Sequence, residues 1–483
     1  MFNSYIFIFL FLPVTLLLWY LCNRLKRYRL AQFIIVVLSL VFYSYYNWKD
    51  AIVILFSISG NWCFSKWMER EKGNVKIGFI GILFNISILC YFKYWNFLIE
   101  NVNLVFASQF SLKKIVFPLG ISFYTIQQIS FIADRMRGVA PHYSLLDYAS
   151  YVIFFPQLIA GPIVSHKDLV PQFQDDEKRK LKLENLVMGI SIFSIGLGKK
   201  VLLADSLGRV VDAGFSEIGL LDSISAIVVM LSFTFQLFFD FSGYCDMAAG
   251  IGYMMNIKLP QNFDSPYKAA SVGEFWKRWH MTLNAFFTQY IYIPLGGGRC
   301  AKWKWIRNVM IVFLISGIWH GANWTFIIWG ILHGIAVVAE RASLFSKWSL
   351  KVRWFMTFIF LALSWVLFRS DSMNMAFQFY KKIFSFSNTG YLADLSGNLI
   401  DFKFYFLRSC INRFGGNVAV SSFQILLLIL LLILSAICCT KRSCLIELPQ
   451  KCLTKKDMLL FAVLFSLSVV SLSGVTIFLY FNF

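Results

Sequence analysis

The sequence is poor in charge. Of its 483 residues, 14% are Asp, Glu, Lys or Arg and 58% are hydrophobic, whereas a soluble domain carries about 25% charged and about 45–50% apolar residues. That shortfall excludes an ordinary soluble enzyme and fits a chain whose outer surface meets lipid. Proline is scarce as well, with ten residues and no Pro-rich linker. No internal repeat or low-complexity tract divides the chain, which reads as one unit, 1–483. The ten cysteines lie mostly singly in apolar runs, apart from the adjacent Cys438 and Cys439. They make no metal-binding or disulfide framework, and a free cysteine behaves as a small apolar residue. HExxH and GxSxG strings are also missing, which removes the common signatures of zinc and serine hydrolases.

What is present is long apolar runs. Residues 5–22, 30–47, 77–92, 115–133, 148–165, 223–239, 309–339, 415–440 and 458–483 contain no Asp, Glu, Lys or Arg. A helix crosses a bilayer with about 20 mostly apolar residues, so these windows predict an all-α, polytopic membrane protein with about ten to twelve spans plus a few re-entrant or interfacial helices. The first window has no basic segment before it and reads as a transmembrane helix, not a cleaved signal. The run 309–339, with Gly-Ala-Asn at 321–323, is long enough for two elements joined by a break.

The net charge of +20 does not point to nucleic acid. The basic residues cluster in short segments between apolar runs: Arg24 to Arg29, Lys66 to Lys76, Lys178 to Lys182 and Lys441 to Lys456. Cytoplasmic loops of membrane proteins collect Lys and Arg. These clusters predict an N-terminus outside and the basic segments in the cytoplasm.

Two polar interruptions stand out. Residues 258–308 are rich in Trp, Tyr, Lys and Arg, the mixture a membrane–water interface favours. Residues 271–293 read as one or two short interfacial or re-entrant helices, with Ser271 as N-cap and Glu274 completing a capping box. The stretch FFDFSGYCDMAAG, 238–250, carries Asp240 and Asp246 between apolar segments. An acid at membrane depth faces a cavity or a partner; the alternative is a membrane-edge turn capped by Asp.

Five histidines remain to be placed. His142 and His166 fall in polar loops and read as solvated. His280, His320 and His333 lie among aromatic and apolar residues. On one helix, the 13 residues from His320 to His333 would turn the second about 220° away from the first, so a shared metal is not expected. Imidazole titrates near pH 6.5 and can serve as a general base. His320 is flanked by Trp319 and Trp324, with Gly317, Gly321 and Asn323 close by. From residue context, a base and a structural histidine stand equal.

The strings YFKYWNF (91–97), FPLGISFYTIQQISFIAD (117–134), FFPQLIAGPI (154–163), FFDFSGYCDMAAGIGYMM (238–255), NFDSPY (262–267), EFWKRWHMTL (274–283), YIYIPLGGGR (290–299) and GIWHGANWTFIIWGILHG (317–334) occur in this order. Together they resemble the membrane-bound O-acyltransferase superfamily, in its bacterial branch of alginate O-acetyltransferases and teichoic acid D-alanyl transfer proteins. The likeness is closest to the alginate type. It runs from the N-terminal apolar stretch to about residue 370, and its best-matching core is about 85–370.

The resemblance implies a helical ring around a tunnel or funnel in the bacterial cytoplasmic membrane. The donor thioester, acetyl-CoA or an acyl carrier protein, enters from the cytoplasm. The acceptor, an envelope glycan or an extracytoplasmic acyl-relay protein, approaches from the other face. The family's catalytic histidine corresponds to His320 in WHGANW, and a second functional histidine to His280 in RWH. Asn often replaces that second histidine in distant branches, which implies positioning. Trp319, Asn323, Asp240 and Asp246 become supporting residues, His333 a structural one, and Lys277, Arg278 and Trp279 candidates for the donor or for interfacial anchoring. No metal or bound cofactor is implied. The chain departs from the family at Thr288-Gln289, where Arg-Asp is common, and at Cys245, where Ser is usual. A transporter using an intramembrane histidine as proton relay, and an inactive assembly partner, are the competing function classes.

Overall fold

The computed structural model describes residues 2–71, 74–341, 347–399, 402–472 and Leu479, with the side chains of 402–407 and 414 excepted. Lys72 and most of 473–483, part of the last apolar window, lie outside the described residues. Among the described residues there are helices and no strand. The principal ones are α1 (Leu12–Arg24), α2 (Tyr28–Ser44), α3 (Trp48–Arg70), α4 (Val75–Leu89), α5 (Trp95–Phe106), α6 (Ile121–Met136), α7 (Leu183–Gly198), α8 (Asp205–Ser216) and α9 (Ser223–Met254). They continue as α10 (Val272–Arg278), α11 (Met281–Phe287), α12 (Lys302–His320), α13 (Trp324–Arg341), α14 (Leu350–Arg369), α15 (Met373–Ile383), α16 (Phe402–Cys439) and α17 (Lys455–Val470).

Local chemistry sets many of the starts. Asn47, Asp222, Ser271 and Ser349 each accept a backbone N–H from the first turn of the helix they precede, as N-caps do. Ser271 accepts the N–H of Glu274, but the Glu274 carboxylate turns to the N–H of Ala270, so the expected capping box is only half formed. Four π-helical segments continue helices without breaking them: Phe7–Phe11 leads into α1, Cys90–Tyr94 joins α4 to α5, Lys199–Ala204 joins α7 to α8, and Thr288–Tyr292, holding the departing Thr288-Gln289 pair, extends α11.

Among the described residues, seven helical stretches are long and apolar enough to cross a membrane. That is fewer than the windows predict. Element length is one reason: α2 has 17 residues, and α17 has 16 before its window runs into residues outside the described ones. The windows 115–133 and 148–165 become the 16-residue α6 and shorter helices, and α6 is packed from Ile121 to Gln128 without exposure to the surroundings. A segment enclosed by other helices need not match the thickness of the bilayer. The run 309–339 does split: α12 ends at His320 and α13 begins at Trp324.

The loops fall on two faces. On one, Asn256 donates to the carbonyls of Lys178 and Lys180, Ser265 to that of Lys441, and the Trp354 indole to that of Tyr267. This face gathers the basic segments that begin at Lys178 and Lys441. On the other, Asn323 donates to the carbonyl of Asp371, and Ser223 to that of Lys382. Between the faces runs α9, 32 residues long and enclosed along most of its length. The turn considered at 238–250 does not exist, because α9 passes through it unbroken. Asp240 and Asp246 face lysines instead: Asp240 lies 2.6 Å from Lys200, which also meets Asp205 at 2.7 Å, and Asp246 lies 2.6 Å from Lys199. At membrane depth a paired carboxylate is the tolerable arrangement.

Candidate active site

His320 is the last residue of α12. Gly321 follows in extended conformation, and the chain re-enters as α13. The two helices pack as a close hairpin, because a Cβ on Gly317 would stand 2.5 Å from the carbonyl oxygen of Phe326, and one on Gly330 would strike the carbonyl of Phe313. Small residues permit this approach, and it fixes the break at 321–323 against the body of the protein.

The His320 ring lies among aromatic rings: Trp319 at 4.9 Å, Trp329 at 5.2 Å and Phe368 at 5.3 Å between centroids. His280 reaches the same place from α10 and α11. Its ring is 6.2 Å from Trp319, which therefore neighbours both histidines. His280 sits between the two short helices at φ 46°, ψ 51°, a left-handed conformation that costs free energy in a residue with a side chain and recurs at functional sites. Its Nδ1 lies 3.2 Å from Oδ1 of Asn262. That oxygen also accepts the N–H and hydroxyl of Thr282, which fixes the amide orientation. His280 Nδ1 must then carry the proton and donate it, and its remaining chemistry is at Nε2.

His333 is tied differently. The Trp276 indole N–H donates to its Nδ1 at 3.2 Å, and its Nε2 donates to Ser364 at 3.1 Å. Both ring nitrogens are used in holding helices together, in keeping with the structural role expected. His166 departs from expectation. It is fully buried, between the Tyr143 hydroxyl at 3.0 Å and the Asp134 carboxylate at 3.1 Å. Its surrounding polar sequence concealed this because its partners come from other segments. His142 stays half-exposed, 3.0 Å from Glu69.

Two cavities approach the histidines from opposite faces. One, of about 910 Å³, is lined by Lys93, Gly321, Ala322, Asn323, Phe368 and Arg369; its wall thus includes the residue after His320 and the Phe368 ring 5.3 Å from the imidazole, which is itself buried behind that wall. The other, of about 860 Å³, is lined by Lys277, Trp305, Glu340, Arg341, Arg353 and Phe360. Of the three donor candidates only Lys277 faces it. Arg278 is paired with Glu274 at 2.9 Å, and Trp279 is packed in the core against Phe275 and Trp365. Glu340 accepts the N–H groups of Val272 and Gly273, which pins the start of α10 to α13 and so sets where His280 lies. Asn323 does not turn its amide to His320: it donates to the Asp371 carbonyl and accepts from Thr325, starting α13.

Residues 74–369 match the MBOAT, membrane-bound O-acyltransferase family. The chain is 38% identical to a peptidoglycan O-acetyltransferase of Helicobacter pylori, over 100% of its own length and 97% of the relative's. It is also 38% identical to a probable alginate O-acetylase, AlgI, of Pseudomonas aeruginosa, over 82% of its own length and 76% of the relative's. A teichoic acid D-alanyltransferase of Bacillus subtilis is 29% identical over 59% of this chain and 73% of that one. The family match covers more than half of the chain, and with relatives at 38% identity it makes this chain a member of the membrane-bound O-acyltransferase family.

Proposed function

We propose that the protein moves an acetyl group from acetyl-CoA on the cytoplasmic side to a hydroxyl on the far side, on a cell-envelope glycan of the peptidoglycan kind or on a protein that relays the group to it. The observation that carries this is the enclosed pair His320 and His280 around Trp319, with one cavity reaching Gly321 beside His320 and a second, cation-lined cavity at the opposite end of the α12–α13 hairpin, on the face that gathers the basic segments. Basic segments accumulate on the cytoplasmic side; on this reading the donor enters the second cavity, the N-terminus lies outside and the protein sits in the bacterial cytoplasmic membrane. Lys277, Arg341 and Arg353 there suit the phosphates of a nucleotide thioester. Acetyl is favoured over D-alanyl because the O-acetyl relatives match more closely and over more of the chain.

The chemistry is a direct transfer. His320 takes the proton of the acceptor hydroxyl as its oxygen attacks the thioester carbonyl. The tetrahedral oxyanion collapses, the C–S bond breaks, and the thiolate leaves with the proton from the imidazolium. His280, held in one tautomer by Asn262, orients the reacting groups. A positioned base contributes about 10²–10⁴-fold.

The test is acetyl-ester content of envelope glycans, by mass spectrometry, in wild type, a deletion strain, and the deletion carrying His320→Ala. Loss in the deletion that the variant fails to restore is the expected result. Restoration by a well-expressed His320→Ala refutes the base. Unchanged acetylation in all three strains removes acetyl transfer and returns the transporter reading, which predicts flux without an acyl product.

A further inference from the structure

We propose that Lys93 is a positioning residue for His320, capping the end of the helix that delivers the imidazole. This rests on His320 being the reacting base.

Because α12 stops at His320, its last carbonyls have no N–H donor from a following turn. At an open helix end, water would satisfy them. Here they are satisfied by two adjacent side chains. The Tyr94 hydroxyl donates to the Ile318 carbonyl at 2.7 Å. The Lys93 ammonium donates to the Trp319 carbonyl at 2.7 Å and to the His320 carbonyl at 2.9 Å. A cation at this place also meets the negative end of the helix dipole.

The backbone explains how two neighbours reach one helix end. Lys93 and Tyr94 lie in the π-helical segment Cys90–Tyr94. Such wide turns shift the helical register locally and recur at functional sites. A third contact completes the clamp. Lys93 also lies 3.3 Å from the Ser122 hydroxyl, and the Trp319 indole N–H donates to the Ser122 carbonyl at 3.3 Å. Lys93, Ser122 and Trp319 thus form a ring of hydrogen bonds around the backbone of His320. The ammonium is held at the wall of the 910 Å³ cavity, beside the break that begins at Gly321. The string YFKYWNF, which the motif chemistry left without a task, acquires one.

The experiment uses the full chain in lipid nanodiscs with acetyl-CoA as donor and soluble peptidoglycan fragments as hydroxyl acceptor, reading acceptor-dependent thiol release. Wild type should exceed His320→Ala; equality would sink the functional reading and the role of Lys93 with it. Lys93→Met should lower kcat about 10²-fold, the scale of a small misplacement of a catalytic group, with KM unchanged. Lys93→Arg, which keeps a cation and its donors, should recover to within about tenfold of wild type. In a His320→Ala background, Lys93→Met should change nothing further, because a residue that acts only through another is non-additive with it. Wild-type kcat in Lys93→Met, a change confined to KM, or an additive loss in the double variant overturns the assignment. If Lys93→Met fails to fold, Lys93→Gln, which retains N–H donors without the charge, is put through the same comparison with His320→Ala.

Discussion

The three apolar histidines differ in what their nitrogens touch. His333 has both nitrogens in bonds to Trp276 and Ser364, so His333→Ala should strand the Trp276 N–H and cost about 1–3 kcal/mol of stability. Turnover per folded molecule should stay within a few-fold of wild type. Thermal unfolding alongside specific activity checks this; a stable but dead variant would move His333 into the chemistry. Asn262→Ala should do the reverse. It frees the His280 ring from its tautomer and orientation, and turnover should fall roughly tenfold or more at nearly normal expression. Turnover that does not change would show that the Asn262 contact leaves His280 idle. The WHGANW and RWH strings made His320 and His280 legible. Asn262 was not, although it opens NFDSPY, because no local pattern says that this amide meets a ring 18 positions later.

Among elements, the α12–α13 hairpin is the most constrained. Gly330→Leu adds a side chain where even a Cβ meets the Phe313 carbonyl. The helices must separate, and the protein should lose both stability and turnover, measured as membrane-fraction yield and thiol release; a stable, active variant would contradict the packing. The start of α9 offers a pH prediction. Burial raises the Asp222 carboxyl, but the N–H groups of Ser225, Thr389 and Gly390 outweigh it and hold the carboxyl below its ordinary value. A depressed carboxyl contributes stability that is present above the unfolded value, about 3.9, and is lost as pH falls through the folded one. Asp222→Asn should therefore be less stable than wild type at pH 7, with the gap closing in acid. A gap independent of pH between 7 and 3 would count against it. The two short helices α10 and α11 were readable from Ser271 and the Trp-Lys-Arg mixture, but the burial of Phe275, Trp276 and Phe286 against the core was not. The unbroken course of α9 was not, because Asp240 and Asp246 resemble turn residues until Lys200 and Lys199 are placed opposite them.

For the whole molecule, the ion pairs along α9 bind it to α7 and α8 through the segment Lys199–Ala204. Removing a buried charge's partner outright costs about 3–5 kcal/mol; Lys200 keeps Asp205 when Asp240 is neutralised, so the loss there is a fraction of that. Asp240→Asn should accordingly lower yield and unfolding temperature beyond a surface change such as Asp176→Asn, and equal behaviour of the two would discount the network. Fold class could be read from the apolar windows. The number of crossings could not, because a window that is buried among helices and one that faces lipid have the same composition.

The row of rings between the two cavities carries a last consequence. From His320 the centroids step 5.2 Å to Trp329, 4.8 Å to His333 and 5.1 Å to Phe360, which already lines the opposite cavity. Water-sized hollows thus approach from both faces and stop at a thin aromatic septum. If the acyl group passes from one face to the other as proposed, a cell that maintains a voltage across its membrane needs that septum to be electrically tight, because a proton could leak along the same route. Trp329→Ala should then raise proton conductance of vesicles containing the protein, read with a pH-sensitive dye under an imposed potential, and conductance equal to wild type would place the insulation elsewhere.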